Sequence, residues 1–480
     1  MPGTIIDQHL ENTVNPVEYK ALSTLITVFF FWGFVAASND ILIPVFKKEF
    51  DLTQAQSQLV SLAFYIAYTV GAILYQIISY LIKTDLVNRL GYKNSLVMGL
   101  VISAVGTLLF YPAANSGSFE LMLAGLFVVG LGFSLQQTVA NPLAIALGPS
   151  KSGSQRLTLA GGINNFGTTI GPLIVSFAIF GTASSSDSTM NIESVKIPYL
   201  ILGVAFLLVA LLLKISRIPD RPQADVGSIH QDQNERGSAL KYPQLLMGMI
   251  AIFLYVGVEV ATASNLPDYM EKELGFEPSQ IAPYISLYWA SLMIGRWTGA
   301  IQAFSFQDQM ARILKFVVPY LAFGVFILVN IIAGHDIGSF LIYAPVIIVL
   351  IISDILTKGN PARMLFLFSI LAILALFIGM FAGGKLGVFA LISVGLFCST
   401  LWPCIFALAI KGLGKNTSQG SSFLIMMIMG GGILSWLQGL LADAITVNYS
   451  YIIGVLCFTY LAFYAIHVRK ILRKQGIEIE

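Results

Sequence analysis

The sequence predicts an all-α polytopic membrane protein: two six-helix bundles joined by a polar linker, with an extra two-helix hairpin in the second half. Three observations predict it. The 480 residues are 56% hydrophobic and only 11% charged, against about 25% charged in an ordinary soluble domain. Apolar runs close to the ~20 residues that span a bilayer recur along the whole chain. Short words of the first half also return in the second at a steady offset, as internal repeats do. The alternating ~10-residue segments of a transmembrane barrel are absent from the sequence.

The apolar runs fall at 22–46, 57–82, 94–112, 121–147, 156–181 and 197–213, then at 243–267, 281–306, 314–333, 339–353, 364–383, 386–410, 418–441 and 447–467. Charge clusters and Gly/Pro punctuation bound each one. They make fourteen predicted transmembrane helices. The longest polar segment, "KISRIPDRPQADVGSIHQDQNERGSALKYP", reads as a flexible connection. The predicted organisation is therefore a first bundle over 1–213, a linker over 214–242, and a second bundle over 243–480 carrying a hairpin at about 309–358.

Net charge is +2, too small to point to nucleic acid. Its distribution is more informative. With the N-terminus inside, the outer segments hold only Lys47, Lys48, Lys196, Lys272 and Lys385 of the 27 Lys and Arg residues. The positive-inside rule then puts both termini in the cytoplasm of a multi-pass plasma-membrane protein. Residues 1–19 are polar and no small-residue cleavage site follows the first apolar run, so no signal peptide is read. Cys398, Cys404 and Cys457 lie in apolar runs and predict neither a disulfide framework nor a metal site.

The repeat has two registers. Tyr65/Tyr288 and Ala67/Ala290 share an offset of 223, and Gly33/Gly257 and Gly71/Gly295 one of 224. Ser38-Asn39 pairs with Ser264-Asn265 at 226. Further on, "GLGFS" (130–134) matches "GLFCS" (395–399) at 265, Leu147-Gly148 matches Leu413-Gly414 at 266, and Gly153-Ser154 matches Gly420-Ser421 at 267. Between the two sets the second half gains about 41 residues, room for two short spans, which is what 314–353 contains.

Several polar groups lie inside these runs. Gly33, Ala36, Ala37, Asp40 and Pro44 fall on one helical stripe, with Asn39 beside the acid. Glu259 is the other acid deep in a run. Intramembrane carboxylates cost roughly 2.5–3.5 kcal/mol on insertion scales and mark functional sites by default. The bland alternative is an acid satisfied by neighbouring hydroxyls and amides. Gln136, Gln137 and Asn141 punctuate 121–147, and Gly161, Asn164, Asn165, Thr168 and Pro172 punctuate 156–181. These amides either meet a ligand or bind helices to one another, at about 0.6 kcal/mol per bond. Gly430, Gly431 and Gly432 suggest a flexible or closely packed segment.

The organisation resembles the major facilitator superfamily. "KTDLVNRLGYKNS" is similar to its loop signature of an acid followed by Arg-x-Gly-x-Lys, here Asp85, Arg89, Gly91 and Lys93. More specific words resemble the fucose:proton symporter family, including its glucose/galactose transporter-like branch: "WGFVAASNDILIP", "QQTVANPLAIALGP", "RLTLAGGINNFGTTIGP", "LYVGVEV", "YWASLMIGRWTG" and "GLGKNTSQGSS". The resemblance covers nearly the whole chain, and the hairpin departs from the family's twelve helices.

That resemblance implies a cation-coupled hexose symporter working by alternating access, importing a glucose- or galactose-like monosaccharide. The alternatives are an L-fucose:proton symporter and a transporter-like nutrient sensor. It implies sugar contacts from Asn39, Asp40, Gln136, Gln137, Asn141, Asn164, Asn165, Tyr288 and Trp289, with Tyr65 and Trp402 as further stacking candidates. Asp40 and Glu259 would carry coupling. Gln137 stands where fucose permeases have their second coupling acid, and glutamine cannot hold a proton for release. The co-transported ion would be a proton or sodium, with no resident cofactor. The partners are the monosaccharide, the cation and the lipid bilayer, with no nucleic acid, and the chain is expected to be a monomer. A channel would need a ring of like polar groups. An intramembrane enzyme would need a metal-ligand cluster, a Gly-x-Ser-x-Gly or paired histidines inside spans. His335 and His467 lie at span ends and His230 lies in the linker.

Overall fold

The computed structural model describes residues 19–82, 86–147, 153–180, 195–218, 239–301, 307–413 and 417–477. The middle of the linker, His230 and Asp85 lie outside the described residues. The chain is all helical there. In order, the long helices are α1 (Tyr19–Glu49), α2 (Gln54–Ser57, continuing as Leu59–Leu81), α3 (Tyr92–Leu108, then Phe110–Ser116) and α4 (Phe119–Ala146). Next come α5 (Gly153–Phe180), α6 (Lys196–Ile215), α7 (Pro243–Leu274) and α8 (Pro278–Ala300). The rest are α9 (Asp308–Ile332), α10 (a 3-10 turn Gly338–Tyr343, then Ala344–Thr357), α11 (Pro361–Ala382) and α12 (Gly384–Cys398, then Leu401–Ile410). Two last helices follow: α13 (Thr417–Met426, then Gly430–Ala444) and α14 (Val447–Ser450, then Ile452–Lys474).

Twelve of these are long and apolar enough to cross a membrane among the described residues. The sequence predicts fourteen, and the two that fall short are α5 and α8. The reason is physical: both carry many polar groups, Asn164, Asn165, Thr168 and Thr169 on α5 and Ser286, Ser291, Arg296 and Thr298 on α8, and where the two helices pack Arg296 meets Asn165 and Ser286 meets Thr169.

Glycines set the packing within each half, and they do so twice. A Cβ on Gly167 of α5 would strike the Phe30 carbonyl of α1, and one on Gly430 of α13 would strike the Phe253 carbonyl of α7. Gly71 of α2 lies against Ser134 of α4 as Gly295 of α8 lies against Ser399 of α12. The offsets read from the sequence thus correspond to equivalent helix contacts. One continuous buried apolar core runs through both halves.

The halves meet through α1 and α2 against α7, α8 and α13, and through α5 against α8. The end of the bundle carrying the α1–α2 turn, called here the distal end, is joined across the halves by ion pairs and hydrogen bonds. The opposite, linker end carries residues 216–218 and 239–243. At the distal end Lys47 and Lys272 both pair with the buried Asp268, and Lys48 reaches Glu277 at 3.6 Å. Gln54 Nε2 donates to Asn265 Oδ1 at 3.0 Å, and Gln58 Nε2 donates to the Ser264 carbonyl at 3.0 Å. Asp443 of α13 accepts from the backbone N–H groups of Gln54 and Ala55 at 2.9 and 2.8 Å, capping the start of α2 from the other half. Towards the linker end α2 carries exposed Leu74, Ile77, Ile78, Tyr80 and Leu81.

The hairpin α9–α10 packs outside α8 and against α11 and α12. Only 28% of the α9 span is buried, against 89% for α12. Tyr343 Oη and Ser291 Oγ, 2.8 Å apart, tie its turn to α8. The sequence marks Asn330 as its main polar interruption, and that side chain is fully buried and bonded to the Phe326 carbonyl. A second interruption is an ion pair between Lys315 and Asp354 at 2.7 Å, which fastens α9 to α10.

Candidate functional site

Asp40 sits two thirds of the way along α1 towards the distal end, 3% exposed. Both of its oxygens are taken by the second half. Trp289 Nε1 on α8 donates to Oδ2 at 2.9 Å and Ser264 Oγ on α7 donates to Oδ1 at 3.1 Å. Ser264 also lies 3.1 Å from Ser61 Oγ on α2. A buried carboxylate is tolerable when its lone pairs are satisfied, and here the donors come from across the boundary between halves. The acid is therefore a clasp as well as a candidate binding group. Pro44, four residues on, offers no N–H to the Asp40 carbonyl. Asn39 precedes Asp40 on α1, and its side chain lies outside the described groups.

Glu259 on α7 is half-buried, and the Tyr255 hydroxyl donates to its Oε2. Tyr288 Oη donates to the Glu259 carbonyl at 2.7 Å. Tyr288, which is equivalent to Tyr65 in the repeat, meets Glu259 while its neighbour Trp289 meets Asp40. The two acids thus belong to one cluster with tyrosines between them. Tyr288 and Trp289, predicted to stack on the sugar, lie beside the two acids. Both rings are buried, packed edge-on at 5.4 Å, and their polar atoms are spent on Glu259 and Asp40. Tyr65, stacked on Tyr68 at 6.1 Å, and Trp402 are half-buried and keep partly open faces.

On α4 the two adjacent glutamines part company. Gln136 is fully buried inside the first half; Trp32 Nε1 donates to its Oε1 at 2.9 Å and its Nε2 donates to Ser103 Oγ at 3.0 Å. It ties α1, α3 and α4 together, with both ends of its amide engaged inside the first half. Gln137 is half-buried and donates to Tyr68 Oη at 3.2 Å, next to the tyrosine pair, with Asn141 half-buried one turn on.

The α5 amides also divide. Asn164 Nδ2 donates to the Phe29 carbonyl at 2.9 Å, so its amide joins α5 to α1. Asn165 is 2% exposed and its Oδ1 accepts from Arg296 of α8 at 2.9 Å, while its Nδ2 has no partner. An unmet buried donor at the boundary of the halves is a place where a ligand hydroxyl would be welcome.

Arg296 is the residue the sequence reading passes over. It lies one turn before the end of α8, half-buried, with its guanidinium between Asn165 and the Ser399 carbonyl, the latter at 3.4 Å. It also acts electrostatically on Glu259. The carbonyl is free because α12 breaks after Cys398 and because residue 403, which would donate to Ser399, is proline. Tyr255 Oη uses the neighbouring Cys398 carbonyl at 3.2 Å. Discontinuous helices with freed carbonyls are a recurrent way to build midplane binding sites. A signal was present in the sequence: an arginine inside an apolar run is as costly as the acids that drew attention.

The assembled cluster holds two carboxylates, one guanidinium, several tyrosine hydroxyls and paired amides, drawn from both halves. It can accept from and donate to a polyhydroxylated ligand, and it can hold a cation beside Asp40 or Glu259.

Comparison with known proteins gives a consistent picture. A family model described as Major Facilitator Superfamily matches residues 21–358. The chain is 33% identical over 448 residues to a glucose/galactose transporter of Brucella abortus, covering 93% of each. It is 29% identical over 464 residues to the L-fucose-proton symporter of Escherichia coli, covering 92% and 91%. The crystal structure of the transporter FucP in its outward conformation is similar with a TM-score of 0.62 and 29% identity, over 93% of this chain and 98% of that one.

Proposed function

Because this chain belongs to the major facilitator superfamily, we propose that it is a cation-coupled hexose symporter that works by alternating access. The substrate class is a glucose- or galactose-like monosaccharide, as the name of the Brucella relative suggests. L-fucose:proton symport, suggested by the Escherichia coli relative, is the second reading; Gln137 at the place of the fucose permeases' second acid weighs against fucose and leaves Asp40 to carry the proton. In this reading fourteen helices span a bacterial inner membrane, organised as 1–213, the linker 214–242 and 243–480. Both termini are cytoplasmic and the chain acts as a monomer.

One observation carries the proposal: Asp40 is held by donors from the opposite half. Trp289 and Ser264 bind a carboxylate more strongly than a carboxylic acid, since charge-assisted bonds are roughly twice as strong as neutral ones. Closing the distal end brings those donors to Asp40, so closure and loss of a proton from Asp40 are linked. The proton then leaves towards the linker end with the sugar. One charge moved across the full potential supplies about 2.3 kcal/mol per 100 mV, roughly a fifty-fold sugar gradient. Sodium is the alternative cation; the relative named for proton symport supports the proton. Gln137, Asn141, Asn165 and Arg296 supply hydrogen bonds to sugar hydroxyls, with Glu259 tuned by Arg296 and Tyr255.

The test is uptake into proteoliposomes with competing sugars and imposed gradients. Concentrative uptake of glucose or galactose driven by a pH gradient and abolished by a protonophore is expected. Sodium-stimulated uptake that survives the protonophore would overturn the proton assignment, and selective uptake of L-fucose would overturn the hexose assignment.

A further inference from the structure

At the linker end, away from the candidate sugar site, α10, α11 and α14 enclose a groove of about 490 Å³. The α14 wall is a single helical stripe, Ala465, Ile466, Arg469, Lys470 and Arg473. The α11 wall is another, Ala362, Arg363, Phe366 and Leu367, and the end of α10 supplies Leu356 and Thr357. Four cations therefore gather at the rim and apolar groups line the wall below. Among the described residues no acid lines the groove and no carboxylate pairs with any of the four. Asp354, on the turn of α10 that precedes Leu356, is committed to Lys315. The first residues of α11, a 22-residue helix capped by Asn360, line the same rim and add the positive end of its dipole.

We propose that this groove binds the headgroup phosphate of an anionic phospholipid, with an acyl chain lying along Leu356, Phe366 and Ile466. Two observations select that occupant. Uncompensated positive charge demands an anion, and basic pockets between transmembrane helices on the cytoplasmic side hold acidic headgroups. The wall demands an apolar tail, since Leu356, Phe366 and Ile466 are 63%, 40% and 44% exposed directly beside the charges. A soluble anion needs the first feature only. The α9–α10 hairpin builds one side of the groove, which gives that segment a purpose distinct from transport chemistry. The inference goes beyond the transport reading and shares only its orientation.

The test uses the full-length chain, delipidated in detergent and titrated in native mass spectrometry with phosphatidylglycerol or with phosphatidylcholine of the same acyl chains. No sugar is present, so its result is independent of the transport reading. Phosphatidylglycerol should be retained in preference. Each cation near the headgroup contributes about fivefold, so Arg469→Gln/Arg473→Gln and Arg363→Gln/Lys470→Gln should each weaken retention about twenty-five-fold. Arg469→Lys/Arg473→Lys keeps the charge and should stay within about twofold of the parent. Equal retention of phosphatidylcholine, unchanged binding in both Gln pairs, or loss in the Lys pair would overturn the proposal. Displacement of the lipid by glycerol phosphate at equal concentration would overturn it too, by making this a site for a soluble anion.

Discussion

Trp289 and Asp40, 249 positions apart in the chain, meet at 2.9 Å across the boundary between the halves, indole nitrogen to carboxylate oxygen. A hydrogen bond to a buried charge is worth about 1.5–3 kcal/mol. The contact therefore makes the charge on one α1 side chain sensitive to where α8 stands.

Asp40→Asn removes the charge and keeps the shape. Sugar accumulated by energised vesicles should fall to the external concentration, while sugar binding to the detergent-solubilised protein persists. Undiminished accumulation would remove Asp40 from the coupling machinery.

Asp268→Asn should loosen the distal closure. Asp268 is 4% exposed and answers both Lys47 and Lys272. Removing one partner of a buried pair leaves the other uncompensated. A cysteine placed at Ser61 should react about tenfold faster with a membrane-impermeant maleimide added from the distal side. The double variant Lys47→Gln/Asp268→Asn should recover much of the closure, because the remaining Lys272 is half exposed to solvent. An unchanged rate in the single variant would show that the ion pairs do not hold this end shut.

Gln136 and Gln137 should separate by readout. Gln136→Ala leaves the Trp32 and Ser103 groups unanswered in a buried site, at a cost of about 1–3 kcal/mol each, and should lower the melting temperature with little change in KM. Gln137→Ala should leave the melting temperature within a few degrees and raise KM for sugar about tenfold. The reverse pattern would put Gln136 back among the ligand-binding groups.

Gly167→Val should destabilise the first half by about 1–3 kcal/mol, since the side chain would enter the Phe30 carbonyl of α1. Gly324→Ala, on a face of α9 with nothing within 4 Å, should be neutral or stabilising by about 0.5–1 kcal/mol. Thermal unfolding of the two variants side by side checks the pair.

Much of the architecture was legible because it is written locally. Runs of apolar residues and the offsets between them are properties of the chain alone, and they anticipate Gly71 on Ser134 and Gly295 on Ser399. The site was less legible because its contacts are not local. Asp40 was marked by its cost, yet nothing near it in sequence names Trp289 or Ser264 as partners. Gln136 and Gln137 look alike as letters and differ only in which way α4 turns each. Arg296 stands inside an apolar run, and the cost argument that singles out Asp40 applies to it equally. The free Ser399 carbonyl had a written signal in Pro403, readable only once an arginine is known to stand opposite.

The carboxylate of Asp443, seated on the Gln54 and Ala55 amides, has a consequence for how the distal end would part. Separation of the halves strips α2 of a cap, leaving two backbone donors to water while Thr53 keeps its own hold on Gln56. The first turn of α2 would then fray in step with each cycle. Amide hydrogen exchange at Gln54 and Ala55 becomes a clock for the motion: slow with the distal end shut, fast when it is open. An Asp443→Ala variant, which removes both acceptor oxygens, should exchange quickly at those two amides even at rest.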